Sequence, residues 1–174
     1  LAVDGSYALR LSETFSMAVT GRYIRSDLQT TLDGDSSSAS TFAADVAAFY
    51  RSKEIFYKDF NGRWRFGAKI SNIGPKISYD DIGNDNFIPT NFKTGVGFDF
   101  LLDADNTIST SVEFNKLLVP TPKDSNDDDV INQEDDYFTT NEFSAIFSSF
   151  GDAPGGLSEE LKEITWALGV EYLY

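Results

Sequence analysis

Apolar and polar residues alternate one by one along most of this chain. The longest example is Asn91 to Pro122, NFKTGVGFDFLLDADNTISTSVEFNKLLVPTP. Phe92, Val96, Phe98, Phe100 and Leu102 share one parity, and Asn91, Lys93, Gly95, Gly97 and Asp99 share the other. Downstream, Ile108, Val112 and Phe114 alternate with Thr107, Ser109, Ser111, Glu113 and Asn115. A strand turns successive side chains to opposite faces, so each run predicts one apolar face and one polar face. Asp103-Ala104-Asp105-Asn106 between them uses residues suited to tight turns. The pattern predicts an antiparallel hairpin with arms of about 11 residues, the length of a tilted strand that crosses a bilayer.

The same alternation recurs elsewhere. Val3, Tyr7, Leu9 and Leu11 oppose Asp4, Ser6 and Arg10; after a turn at Ser12–Thr14, Phe15, Met17, Val19 and Tyr23 oppose Ser16, Thr20 and Arg22. A polar loop rich in Ser, Asp and Gly is expected from Thr30 to Ser40. Phe42, Ala44, Val46, Ala48 and Tyr50 form a third apolar face opposite Asp45 and Arg51. A connection over Ser52–Gly62 leads to a fourth, where Trp64, Phe66, Ala68 and Ile70 oppose Arg63, Arg65, Lys69 and Ser71. Residues 74–90 read as a loop with Gly74, Pro75, Gly83 and Pro89. An excursion over residues 119–163 precedes the last strand, in which Ile164, Trp166, Leu168, Val170, Tyr172 and Tyr174 share one parity.

Connections therefore run short, long, medium, long, short and very long. An up-and-down transmembrane β-barrel has this rhythm, with short turns on one side and long loops on the other. Trp64, Tyr7, Tyr23, Tyr50 and Tyr172 fall where an aromatic girdle is expected. Arg10, Arg22, Asp45, Arg65, Lys69, Lys93, Asp99, Glu113 and Glu171 occupy the polar parity. Charges in mid-strand fit a wet or paired interior, either as internal ion pairs or as a selectivity lining. About seven strands are visible, whereas single-chain bacterial barrels use an even number of eight or more. The expectation is an all-β, antiparallel, partial barrel of about seven strands, with residues 1–174 forming part of one outer-membrane domain. Strands before Leu1 and after Tyr174 are expected to complete it, because lipid does not tolerate unpaired edges.

Composition narrows the chemistry. Against 14 Lys and Arg stand 28 Asp and Glu, for a formal net charge of −14, with no His and no Cys. Disulfides, thiolate chemistry and imidazole catalysis are excluded within this chain. The acidity argues against nucleic acid, whose binding rests on cations that displace counterions. No apolar run approaches the roughly 18 residues of a membrane-spanning helix. The chain opens on alternation rather than on Met and a basic segment, so a mature chain is expected.

SNIGPKISY (Ser71–Tyr79), FIPTNFKTGVGFDF (Phe87–Phe100), VEFNKLLVPTP (Val112–Pro122) and TWALGVEYLY (Thr165–Tyr174) resemble the PorV (LptO) family of type IX secretion barrels, within the FadL-like superfamily. The stretch Asn115 to Pro120 carries much of this resemblance, because alternation does not dictate it. The resemblance implies a fourteen-stranded barrel of which this chain is about half, in the bacterial outer membrane. It implies a non-enzymatic role: receiving cargo with a type IX C-terminal signal domain from a SprA/Sov-type translocon and passing it to a PorU-type sortase. A FadL-like transporter of hydrophobic small molecules is the alternative, and a porin is a third. No cofactor and no catalytic residue is implied.

Two parts of the excursion invite chemistry. In KDSNDDDVINQEDD, Asp124, Asn126 and Asp128 have the spacing of the first ligands of a calcium loop, with Asp135 twelfth. Asp129 stands where such a loop needs Gly, and the twelfth ligand is not Glu, so the departures favour a solvated acidic loop. In TTNEFSAIFSSFGDAPGG, Thr139 with Glu142, or Asn141, can cap a helix. Phe143, Ile146, Phe147 and Phe150 then fall on one face, with Gly151 a natural stop. That face suits either a lid across the barrel mouth or a partner such as translocon or cargo. Ser158–Glu163 can add a short turn capped by Ser158.

Overall fold

The computed structural model describes residues 1–29, 36–79, 85–122, 124–125, 135–153 and 155–174. Its strands are β1 (Ala2–Arg10), β2 (Phe15–Gln29), β3 (Ser36–Arg51), β4 (Ile55–Phe56), β5 (Asn61–Ile73), β6 (Ile77–Ser78), β7 (Asp85–Asn86), β8 (Asn91–Leu101), β9 (Thr107–Leu117) and β10 (Thr165–Leu173). Three short helices, α1 (Asp136–Thr139), α2 (Glu142–Ser148) and α3 (Leu157–Glu160), lie between β9 and β10.

One antiparallel sheet dominates, in the order β1-β2-β3-β5-β8-β9-β10, with β4 paired to the start of β5. Long strands are neighbours in chain order, as the alternation predicts. The expected hairpin is β8–β9, registered from Asn91↔Leu117 to Leu101↔Thr107. Its turn is shaped by Asp103, whose Oδ1 accepts from the backbone N–H groups of Asp105 (3.0 Å) and Asn106 (2.9 Å). Hydrogen bonds from the Asn106 side chain, then from those two backbone groups, hold the Asp103 carboxyl below the usual carboxylate range.

The sheet is not closed into a barrel: among the described residues β1 and β10 each have one neighbour, and closure would need them to share hydrogen bonds, directly or through further strands. Expectation and structure part in three places. β3 begins at Ser36, inside the stretch expected as loop up to Ser40, because its ladder with β2 continues to Gln29↔Ser36. The 74–90 loop holds a small hairpin, β6–β7. In the excursion α1 precedes the expected helix α2, which Asn141, the second of the two candidate caps, closes by accepting from the Ser144 N–H at 2.9 Å, and the later turn, α3, starts from Gly156 rather than from a Ser158 cap.

The exposure of the sheet is the reverse of that in a water-soluble sandwich. On β3, Ala39, Thr41, Ala43 and Asp45 are buried, whereas Phe42 on the opposite parity is 68% exposed. Val3, Val19, Phe66, Phe114, Trp166, Leu168 and Val170 are exposed on that same apolar face. The polar face buries Asp45, Asp99 and Ser109.

Candidate functional site

Three surfaces are built by this arrangement: a polar face threaded with ion pairs, a plug that covers one end of it, and a rim wrapped by the excursion.

Most charges on the polar face meet opposite charges across adjacent strands, while Arg10 donates to the Ser12 and Glu13 carbonyls instead. Arg22 of β2 donates to Asp4 of β1 at 2.7 Å, and its second arm lies 3.6 Å from Asp45 of β3. Asp45, 2% exposed, is also held by Lys69 of β5 at 2.7 Å and accepts from the Asn72 N–H at 2.9 Å. Arg65 reaches Asp99 at 2.8 Å, and Asp99 accepts from the Ser109 hydroxyl at 2.8 Å. Lys93 and Glu113, one strand further, are 2.9 Å apart. Of the two roles open to these charges, the geometry is that of internal ion pairs. A buried charge left without its partner is expensive, which explains why they come in complementary neighbours.

The plug is the loop between β5 and β8. Its hub is Asn72, which adopts a left-handed backbone with φ of 58°. Asn tolerates that conformation better than most residues. The Asn72 side chain accepts from Arg22 and donates to the Pro89 carbonyl, while its own carbonyl accepts from the Thr90 hydroxyl at 2.8 Å. The chain is thereby folded back over the polar face, where Ile77 and Ile88 pack on Ala39 and Ala43. Gly74 permits the crossing: a Cβ there would lie 2.2 Å from the Phe42 carbonyl oxygen.

Lys76 ties the plug to the excursion. Its backbone N–H donates to Glu142 (3.4 Å), its ammonium donates to the Tyr137 carbonyl (3.4 Å), and it stands 4.3 Å over the Phe87 ring. Phe87 and Tyr137 meet edge to face at 5.3 Å. Burial pushes the Lys76 ammonium below its ordinary range, against the pull of Glu142 and Asp85. Burial pushes the Tyr137 phenol up.

The excursion then crosses to the other side of the rim. Lys116 stands on the apolar parity of β9, where alternation calls for a hydrophobic residue. It is 5% exposed and lies between Glu160 (2.5 Å) and Glu163 (2.7 Å). Its register partner Phe92 meets Phe150 at 6.0 Å. Lys116, Lys76 and Asn72 were not identified by periodicity. The only signal for Lys116 was that it interrupts the alternation; Lys76 and Asn72 leave none.

The four residues expected on one helical face do not act as one. Ile146 is buried with Ala145, Phe150 is half-exposed near Phe92, and Phe143 and Phe147 are exposed, the latter by 75%. Of the acidic stretch, Asn126, Asp128 and Asp129 lie outside the described residues. Asp135 is buried and accepts from the Ser125 backbone and hydroxyl at 2.7 and 3.0 Å. Among the described residues no group of three or more acidic side chains is placed to hold a metal.

Aromatic side chains gather on the apolar face at the short-turn end. Trp64 meets Phe98 at 4.8 Å, Phe98 meets Phe100 at 4.7 Å, and Tyr57 stacks on Phe60 at 4.8 Å. A second level stands toward the long loops, with Tyr23 against Phe42 at 5.3 Å and Trp166 opposite Phe114. An apolar face with aromatics at two levels and a paired polar face behind it is the arrangement the alternation predicts. A family model for type IX secretion system protein PorV matches residues 1–124. The chain belongs to the PorV family. No curated protein matches the chain. PorV membership carries a role in type IX secretion and a place among its outer-membrane components.

Proposed function

We propose that the sheet is one wall of an outer-membrane β-barrel, with lipid against the apolar face and an aqueous lumen against the polar face. Residues 1–174 belong to that one barrel domain, and residues 119–163 are its long extracellular excursion. The observation that carries this reading is the inverted exposure of β3, with Asp45 buried and Phe42 bare. Water would penalise that arrangement by roughly 25 cal/mol for each Å² of exposed apolar surface. In lipid the same surface is matched, and the free edges of β1 and β10 must then be paired by other strands.

Within type IX secretion, the protein acts without catalysis. It receives cargo bearing a C-terminal signal domain from a SprA/Sov-type translocon and passes it to a PorU-type sortase. Family membership supports the secretion role. The plug folded over the polar face argues against an open porin.

Affinity capture from detergent-solubilised outer membranes tests the reading. Co-purification of a translocon barrel together with signal-bearing cargo is expected. Bound fatty acid with no protein partner would support the hydrophobic-transporter alternative instead. Normal secretion and surface attachment of cargo in cells lacking the protein would end the secretion assignment.

A further inference from the structure

The inversion seen in the sheet continues past the strand ends. Every carboxylate from Glu142 to Glu163 turns toward a protein group. Glu142 accepts from the Lys76 N–H (3.4 Å), Asp152 from the Thr121 N–H (2.6 Å) and Glu159 from the Gly155 N–H (2.5 Å). Glu160 and Glu163 share Lys116, and Glu160 also accepts from the Ala153 N–H (3.3 Å). Phe143, Phe147, Leu157 and Leu161 point the other way, at 68, 75, 81 and 66% exposure. Glu160 is buried and Glu142 and Asp152 are half-buried, whereas Glu159 and Glu163 keep exposed edges. Acidic groups gain most from water, and apolar groups lose most by meeting it.

The place of this segment restricts what it can meet. Glu160, Glu163 and Phe150 grip Lys116 and Phe92 on the apolar parity of β9 and β8. α3 leads into β10, so Leu161 lies at most about 14 Å of extended chain from Thr165. The next residue, Trp166, stands opposite Phe114 at the long-loop level of the apolar face. Trp and aromatic residues at such a level mark the boundary between headgroups and hydrocarbon. The exposed Phe and Leu side chains are therefore continuous with the wall that lipid covers.

We propose that residues 142–163 form an interfacial foot, with Phe147, Leu157 and Leu161 immersed in the outer-leaflet boundary and Lys116 as the clasp that holds the foot against the wall. The inference rests on the membrane reading of the sheet. Its occupant is lipid: large apolar side chains are bare on a segment held to the apolar parity of the wall, and exposed Glu159, Lys162 and Glu163 beside them suit the headgroup level of an interface. Lys116 explains why a cation interrupts the alternation, since it pairs with Glu160 and Glu163 where the foot meets the wall.

The chain has no Cys, so single spin labels can be placed without background. The full chain would be reconstituted in nanodiscs of phosphatidylethanolamine and phosphatidylglycerol, labelled in turn at Phe147, Leu157, Leu161, Val170 and Asp105. Collision with oxygen is compared with collision with a water-soluble nickel chelate. Val170 on the wall is the lipid reference and Asp105 in the turn is the aqueous one. Oxygen should dominate at Leu157, Leu161 and Phe147, at shallower depth than at Val170. Chelate-dominated signals there, with Val170 still in lipid, would overturn the foot and leave the membrane reading intact. Low access to both reagents would also overturn it, by placing the residues against protein. A chelate-dominated signal at Val170 would remove the membrane reading itself, and the foot with it.

Discussion

The two faces of β3 follow opposite rules. Along one, Thr41 and Asp45 are buried, and Asp45 is satisfied by Lys69, Arg22 and the Asn72 N–H. Along the other, Phe42 and Val46 have little protein over them. Burial by protein therefore does not track hydrophobicity here, which is what the proposed lipid contact of the apolar face requires. The polar face is different in kind: its charges depend on particular neighbours, whereas the apolar face needs only an apolar medium.

Removing one member of the polar network should have the largest effect. Asp45→Ala leaves Lys69 and part of Arg22 without their shared carboxylate, and a loss of about 3–5 kcal/mol is expected. Urea titration of the folded protein in lipid vesicles would read it. A loss below about 1 kcal/mol would mean that water solvates these charges and that the two faces differ less than claimed.

Next comes a charge on the other face. Val46→Arg should cost about 2–4 kcal/mol if that position faces the bilayer interior. Ser111→Arg, on the polar parity of β9, is exposed and should cost far less. Equal penalties, or none, in the same titration would erase the distinction between the faces.

A smaller effect is expected at the plug. Asn72→Ala forfeits the side-chain bonds to Arg22 and Pro89 and places a residue with no local polar compensation in left-handed backbone, at about 1–2 kcal/mol. Hydrogen exchange should rise at Ile77 and Ile88 while the strands keep their protection. Unchanged exchange would show that the ion network, not Asn72, seats the loop.

The smallest effect depends on pH. Lys76 is lowered by burial, so the released loop binds more protons than the docked one between the lowered value and the ordinary 10.5. Docking of the plug should therefore strengthen as pH rises through that window. Tyr137 is raised, so above its ordinary 10.0 it opposes the trend. Measured below pH 10, exchange at residues 76–78 should slow with rising pH after correction for intrinsic chemistry, and Lys76→Gln should flatten the dependence. A dependence that survives Lys76→Gln would assign it to another group.

Much of the wall was legible because a period of two has a single physical meaning in a strand. The pairings Asp99–Arg65 and Lys93–Glu113 join residues that alternation had already put on one face, so only the partners were missing. The rim was less legible. Helical spacing placed Phe143, Ile146, Phe147 and Phe150 on one stripe, yet α2 is a short segment whose contacts are set by what lies beneath it. Ala145 and Ile146 are buried while Phe143 and Phe147 are bare, and no local pattern encodes that split. Asn72 carries a backbone angle, and Lys76 a set of contacts 61 to 66 residues away, neither of which composition records.

By itself the sequence determined the strands, their two faces, the order of short and long connections and the exclusion of imidazole and thiol chemistry. These follow from local geometry and residue inventory. The tertiary structure decided that the 74–90 loop folds back over the polar face, that the excursion crosses the rim to Lys116, and which protein groups its carboxylates meet. Those outcomes depend on contacts between residues far apart in the chain, whose energies exist only once the sheet has brought them together.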